Sequence, residues 1–268
     1  MADLNLQQTM LAAVVHEAVG GVKLFPITKV VEMPANAGGK IEVPVIEYIG
    51  NAEAIGAGQA IPAVNFAGEN QQADVIKGAK AIAITQEDIN NAFIDVQEMA
   101  EQQLGKAIAD KVEMDLHAAL QTATMTANIT ELDGDNLPDA LVPFGDNLDE
   151  KMYVVVSPQG LAALRKDPNF LMNANHTGNV NHAGYIFDME VIVSSKVETD
   201  ELFIVKEGAL ALYMKAETQI EVDKDILKQT YNVVATQHYA AVLNDASKAI
   251  KVTIGADADA GEEAGNDA

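Results

Sequence analysis

The chain has 268 residues, no cysteine, no tryptophan, and 40 acidic against 17 basic side chains, for a formal charge of -23. Lacking cysteine, it has no disulfide, thiolate metal site or cysteine nucleophile, and its charge repels a phosphate backbone, which excludes tight or sequence-specific nucleic-acid binding. Hydrophobic residues at 49% and charged residues at 21% define an ordinary globular class, and no apolar stretch approaches the roughly 20 residues that span a bilayer.

The opening Met1-Ala2-Asp3-Leu4-Asn5 lacks the basic region of a signal peptide. The chain is therefore expected to be made and kept in a cytoplasm unless it leaves by a route such as lysis. Leu6, Met10, Ala13, Val14 and Glu17 recur at helical spacing, which predicts a short amphipathic helix over 3–20 ending at Gly20-Gly21. Pro26, Pro34 and Gly38-Gly39 then break the chain, with Leu24–Met33 extended between them.

Residues 40–49 alternate, with Ile41, Val43, Val45 and Ile49 on one face. Pro44 has no N–H for a ladder, so this is an edge or bulged strand. A second extended run at 73–84 places Ile76, Ile82 and Ile84 on one face and Val75, Ala79, Ala81 and Ala83 on the other. The stretch between them, 50–72, is rich in Gly, Ala, Asn and Gln and too weakly apolar for a core. Together these segments predict a long two-stranded arm. A lone hairpin is marginal in water, and nothing in the sequence identifies a surface in the same chain for it to rest on. The arm is the first sign of assembly.

The strongest element is a helix over 85–122. Thr85 and Asp88 have capping-box spacing. Ile89, Phe93, Val96, Ala100, Leu104, Ile108, Val112, Leu116 and Leu120 form an apolar stripe repeating mostly every four residues, which winds slowly around a helix of period 3.6. Such a helix is on the order of 55 Å long. The following 123–150 is acidic and loop-like. Met152–Val156 reads as a buried strand, Ser157-Pro158 as the cap of a short helix around Gln159–Lys166, and 167–183 as a polar loop. Strands follow at 189–194 and 202–206, a short element at 208–214, and alternating segments at 217–243 and 249–254 that return to pack beside the long helix. The tail, 255–268, carries five acids and no base and is expected to be disordered. The class is mixed α+β.

The order of these parts resembles the HK97-type major capsid proteins of tailed bacteriophages. Gly50-Asn51-Ala52-Glu53 leading to Gly58-Gln59-Ala60-Ile61-Pro62 is similar to the family's extended loop. Lys77-Gly78-Ala79-Lys80-Ala81-Ile82-Ala83-Ile84-Thr85 is similar to its strand into the spine helix, and Gln103-Leu104-Gly105-Lys106-Ala107-Ile108 to the helix itself. Val155-Val156-Ser157-Pro158, Gly184–Ser194 and Glu207-Gly208-Ala209 resemble its axial domain. The likeness covers most of 36–254, and the fixed order of its short pieces makes it specific.

The resemblance implies an N-terminal arm at 1–35, an extended loop at 36–84, a peripheral domain from 85–135 and 216–254, and an axial domain at 136–215. It implies hexamers and pentamers forming an icosahedral virion shell around double-stranded DNA that is touched only non-specifically. Assembly would take place in the host cytoplasm. The extended loop would cross a neighbouring subunit through Glu53, Gly56, Gly58, Ile61, Pro62 and Phe66, and the spine helix core would be Phe93, Leu104, Ile108 and Val112. Some members cross-link through a lysine in this loop; here none lies between Lys40 and Lys77, so a non-covalent shell is expected. Only about 35 residues precede the arm, short of a domain, so a separate scaffolding protein is expected, with a portal. An encapsulin-like compartment shell is the alternative within the fold.

An enzyme reading rests on His176 and His182, a pair with the makings of a metal-dependent hydrolase site. Their spacing matches no metal-ligand motif of known geometry, and a solvated loop is the better reading. Asp133-Gly134-Asp135-Asn136 with Asp139 departs from the EF-hand order and reads as an exposed acidic turn. His16, His117 and His238 are isolated and read as structural. No catalytic residue, cofactor, metal or membrane contact is expected.

Overall fold

The computed structural model describes residues 21–33, 38–45, 69–91, 96–171, 182–215 and 219–255. The helix read over 3–20, most of the 50–72 stretch, Phe93, His16, His176 and the acidic tail beyond Gly255 lie outside the described residues.

In chain order, a 3-10 turn at Phe25–Ile27 leads into β1 (Thr28–Glu32), followed by β2 (Lys40–Val45), β3 (Glu69–Asp74) and β4 (Ile76–Thr85). Helices α1 (Gln86–Asn91) and α2 (Val96–Leu120) come next, then β5 (Met125–Ile129), a 3-10 helix at Asp139–Phe144, β6 (Met152–Val156) and α3 (Pro158–Leu164). The remainder is strand apart from a 3-10 turn at Ala246–Lys248: β7 (Phe170–Leu171), β8 (His182–Ile186), β9 (Met189–Val193), β10 (Glu201–Lys206), β11 (Leu210–Met214), β12 (Gln219–Asp225), β13 (Thr230–Leu243) and β14 (Ala249–Ile254).

These strands form two large sheets and a ribbon. A five-stranded sheet runs β1-β11-β13-β12, with β4 also on β13. A seven-stranded sheet runs β5-β14-β10-β6-β9-β8-β7, and β2-β3 make a two-stranded ribbon. Strand alternation distributes the core. Tyr153, Val155, Phe203 and Val205 join α2 and the inner face of the five-stranded sheet in one cluster. Val154, Val156, Leu202 and Ile204 point the other way and pack with Leu164 of α3 and with Ala140 and Phe144 of the 3-10 helix. The seven-stranded sheet is therefore covered on both faces, which is why β6 and β10 read as unbroken apolar runs.

Helix α2 joins the two sheets. Leu104, Ile108, Val112, Leu116 and Leu120 are all buried in the larger cluster. Each four-residue step moves the stripe by about 40° around the axis. The winding allows Asp115 to reach β13 of one sheet while Glu113 and Gln121 reach the other.

The structure corrects several sequence readings. The extended run at 73–84 is not one arm strand. Residues 69–74 pair with β2, whereas 76–85 pair along β13 of the same chain. Val75 marks the change, its N–H donating to the Gly39 carbonyl at 2.9 Å. The base of the arm therefore does have a seat at home: Val43 and Ala73 pack against Ala211, Ala240 and Val242 on the outer face of the five-stranded sheet. The helix read over 85–122 is described as α1 and α2, ending at Leu120.

Residues 123–150 are not all loop. β5 runs parallel to β14 at a sheet edge, Ile129 buried and Thr126 and Asn128 exposed, a pattern hidden by weak apolar alternation. The 249–254 strand does not return beside β13: it sits inside the seven-stranded sheet between β5 and β10, its Lys251 reaching Gln121 just past the helix, while β11 belongs to the five-stranded sheet. Sheet membership thus cuts across the blocks 136–215 and 216–254.

Candidate assembly surface

Among the described residues no three His, Asp or Glu side chains are grouped to hold a metal. His182 enters β8. The acidic turn is occupied by its own backbone: Asn136 N–H donates to Asp133 at 2.9 Å, and Gly134 N–H donates to Asp167. Backbone N–H groups of Asn169 and Gly134 hold the Asp167 carboxyl below its ordinary value. His238 lies on β13 opposite Lys77 of β4.

The surface features that remain are suited to protein contact. Strand β4 is ten residues long and, among the described residues, pairs only with β13. It turns Ile82 and Ile84 toward the core and leaves Ala79, Ala81 and Ala83 exposed on the sheet's outer face. A long edge with small apolar side chains is a template for another chain unless covered; Lys77 and Lys80 are the charges it carries.

The second feature is the turn joining β12 to β13. Ile226 is 78% exposed and Leu227 97%. The turn presenting them is firmly built. The Asp225 carboxylate accepts from the N–H groups of Leu227 at 3.0 Å and Lys228 at 3.1 Å. Gln86 N–H donates to the Gln229 carbonyl at 2.8 Å, and Tyr231 OH donates to Gln86 Oε1 at 3.0 Å. Lys224 Nζ adds a 2.6 Å hydrogen bond to the same hydroxyl. Two large aliphatics held in water by an ordered turn are a poor solution for a free chain, since burying each contributes about 1.5–3 kcal/mol.

The third feature lies at the far end of the seven-stranded sheet. Leu171 and Tyr185 face each other across β7 and β8, and both are exposed, as is Phe187 in the β8–β9 turn. Phe187 and Asp188 have φ of 48° and 61°, a left-handed pair matching the twist of a tight hairpin.

Of the residues expected from sequence, Leu104, Ile108 and Val112 lie in the buried stripe of α2. Glu53, Gly56, Gly58, Ile61, Pro62, Phe66 and Phe93 lie outside the described residues. Sequence reading missed Ile226-Leu227. Their signal was two adjacent aliphatics between Asp225 and Lys228, out of step with the alternation on either side.

Two sheets bridged by one long helix, with a ribbon on the outer sheet face, are the HK97-like capsid architecture, and the solved structures agree. The capsid of the empty GTA particle superposes with a TM-score of 0.68 at 12% identity, covering 88% of this chain and 90% of that one. The virus-like particle from Pyrococcus furiosus superposes with a TM-score of 0.65 at 10% identity, covering 92% and 99%. The sequence profile of the phage capsid protein family matches residues 68–252. The major capsid protein of Staphylococcus phage phiMR11 is 32% identical over 226 residues, 81% of each chain.

The fold and its edges thus define a shell-building class of protein. Within it, the chain belongs to the phage capsid protein family. It serves as a major capsid protein, and its place is the virion shell. Neither the profile nor the sequence relative gives an encapsulin-like compartment better support. The family is a structural one, and copies of the chain meet as homo-oligomers.

Proposed function

We propose that this chain forms hexamers and pentamers of a non-covalent phage head, each subunit laying its 46–68 segment over a neighbour. The observation that carries this reading is the pairing of two complementary parts in one chain. One is the β2–β3 ribbon, whose strands are connected by 46–68; the other is the edge of β4, unpaired among the described residues, with its exposed alanine face. The absence of lysine between Lys40 and Lys77 supports a shell held without cross-links through this segment. An axial part built on the seven-stranded sheet would surround the five- and six-fold axes. A peripheral part built on the five-stranded sheet and α2 would make the lateral contacts. Glu53, Gly56, Gly58, Ile61, Pro62 and Phe66 are the proposed contacts of the extended loop. A separate scaffolding protein and a portal are the proposed partners, with DNA enclosed but held only non-specifically, as the charge of -23 requires.

The test is replacement of 51–67 by a short Gly-Ser linker, which leaves β3 intact. Co-expression with the scaffold and negative-stain microscopy should show shells or capsomer rings for the unaltered chain. The variant should show neither, while keeping its circular dichroism and melting temperature. Normal particles from the variant would remove the reading.

A further inference from the structure

We propose that the last turns of α2 and the seven-stranded sheet form a pH-sensitive joint in which His117 is the titrating member. Beside its apolar stripe, α2 carries a second, polar row at four-residue spacing, Glu113 and His117, continued by Gln121 just past its end. All three face the seven-stranded sheet. Buried Glu113 accepts a 2.7 Å hydrogen bond from Ser194 Oγ at the end of β9. His117 stands edge-on to Phe203 of β10, centroids 5.5 Å apart and planes at 88°. Gln121 closes a three-membered clamp, donating to Glu201 Oε2 at 2.8 Å and accepting from Lys251 Nζ at 2.7 Å. Lys251 and Glu201 are themselves paired at 2.7 Å across β14 and β10.

Within this row His117 is out of balance. Its Nε2 is buried and has no hydrogen-bond partner among the described residues, where buried polar atoms as a rule are satisfied. The charged groups facing it are Glu113 on its own helix, Glu198 in the turn before β10, Glu201 on β10 and Lys251 on β14. Burial lowers the imidazole's affinity for a proton, and this outweighs the three carboxylates that favour the charged form. The neutral ring is the form that fits.

Protonation changes the requirement. An imidazolium Nε2–H needs an acceptor, and the charge draws the ring toward a carboxylate. The nearest ones are committed, Glu113 to Ser194 and Glu201 to Lys251 and Gln121. Recruiting either one opens the joint. Because α2 also belongs to the five-stranded sheet through the Tyr239–Asp115 hydrogen bond, opening alters the angle between the sheets. Acid therefore becomes a conformational input to the subunit, independent of how copies pack.

The experiment follows histidine Cε1–H signals of the full chain from pH 8 to 5 by NMR, the His117 signal being assigned by its loss in His117→Phe. Hydrogen exchange of the segments 113–123 and 198–204, corrected for intrinsic rate, is measured in parallel at pH 7.5 and 5. The expected result is a His117 midpoint below 6.5 and at least a threefold rise in corrected exchange at pH 5, absent in His117→Phe. Glu201→Gln, which keeps the histidine, should move the midpoint lower still. A midpoint at or above 6.5, or an unchanged pH response in His117→Phe, would overturn the proposal. Should His117→Phe fail to fold, His117→Gln assigns the signal by its loss, and the wild-type midpoint with its shift in Glu201→Gln decides the matter.

Discussion

Tyr239, fully buried in the middle of β13, donates a 2.7 Å hydrogen bond from its hydroxyl to Asp115 on the outer turn of α2. Lys111 pairs with the same carboxylate from one turn earlier. Burial and then the Asp115 contact raise the phenol's pKa, so it stays a donor at any working pH. The ring passes Gly78 of β4, where a Cβ would come within 3.2 Å of Tyr239 Cε1. Glycine there lets β4 and α2 share one tyrosine. Tyr239→Phe keeps the packing and deletes the hydrogen bond to a charged acceptor, which should lower stability by about 1.5–3 kcal/mol. Urea unfolding should report this with an unchanged m-value.

The bend in β8 gives a second prediction. At Gly184 a Cβ would lie 2.5 Å from Phe170 Cζ and 2.6 Å from the Leu171 carbonyl, with φ at 154°. The register of β8 on β9 shifts between His182 and Gly184. Gly184→Ala should force Phe170 out of its buried position and strip β7 from β8, costing about 1–3 kcal/mol. Hydrogen exchange should rise in β7 and β8 and remain unchanged in β10 and β14.

Much of this fold was legible in the residues, for identifiable reasons. Thr85 and Asp88 bond reciprocally, the Asp88 N–H to Thr85 Oγ1 at 3.1 Å and the Thr85 N–H to Asp88 Oδ2 at 3.3 Å. The Ser157 hydroxyl accepts from Gly160 N–H at 3.1 Å. Both caps follow from local chemistry. The stripe of α2 and the apolar runs of β6 and β10 are one-dimensional patterns of the same kind. What the residues concealed was partnership between distant segments. Residues 76–85 alternate equally well as an arm strand or as a partner of β13, and only the ten-residue register across 145 positions of separation, from Thr85 to Thr230, decides it. β5 was hidden because its parallel pairing to β14 needs only a weak apolar alternation. The polar row at the end of α2 was only partly legible: His117 reads as an isolated structural histidine, and nothing in the residues ties it to Glu113 and Gln121 until a second sheet is placed opposite them.

The cap of α3 is testable on its own. Ser157 is buried and accepts from Gly160 N–H, while Pro158 occupies the first turn. Ser157→Ala leaves that N–H without an acceptor and should cost about 1 kcal/mol. The drop in Tm should come with no change in the circular dichroism of the folded chain.

Acid should act on a second group besides the histidine. The Asp167 carboxyl is held low by N–H groups from Asn169 and Gly134. A carboxyl bound more tightly as its anion in the folded chain adds stability above its ordinary pKa of 3.8, and that stability is lost as pH falls through the lower folded value. Asp167→Asn should flatten the stability curve below pH 3.8 while leaving the response that His117 contributes unaltered. Unfolding free energies measured across pH 3 to 8 separate the two.

The exposed turn between β12 and β13 separates folding from assembly. Ile226 and Leu227 are far out in solvent, so charges placed there cost the isolated subunit little, within about 0.5 kcal/mol. The bracing contacts of Asp225, Gln86 and Tyr231 use backbone and polar side chains and survive the exchange. Ile226→Asp with Leu227→Asp should therefore fold normally and sediment as a soluble subunit. If the turn is buried between copies, each contact would then hold two carboxylates in a chain already charged to -23, and raising the salt should not restore it, because desolvation rather than long-range repulsion opposes it. Particle yield by sedimentation at two salt concentrations checks this, and full yield from the double variant would show that the turn stays in solvent after assembly.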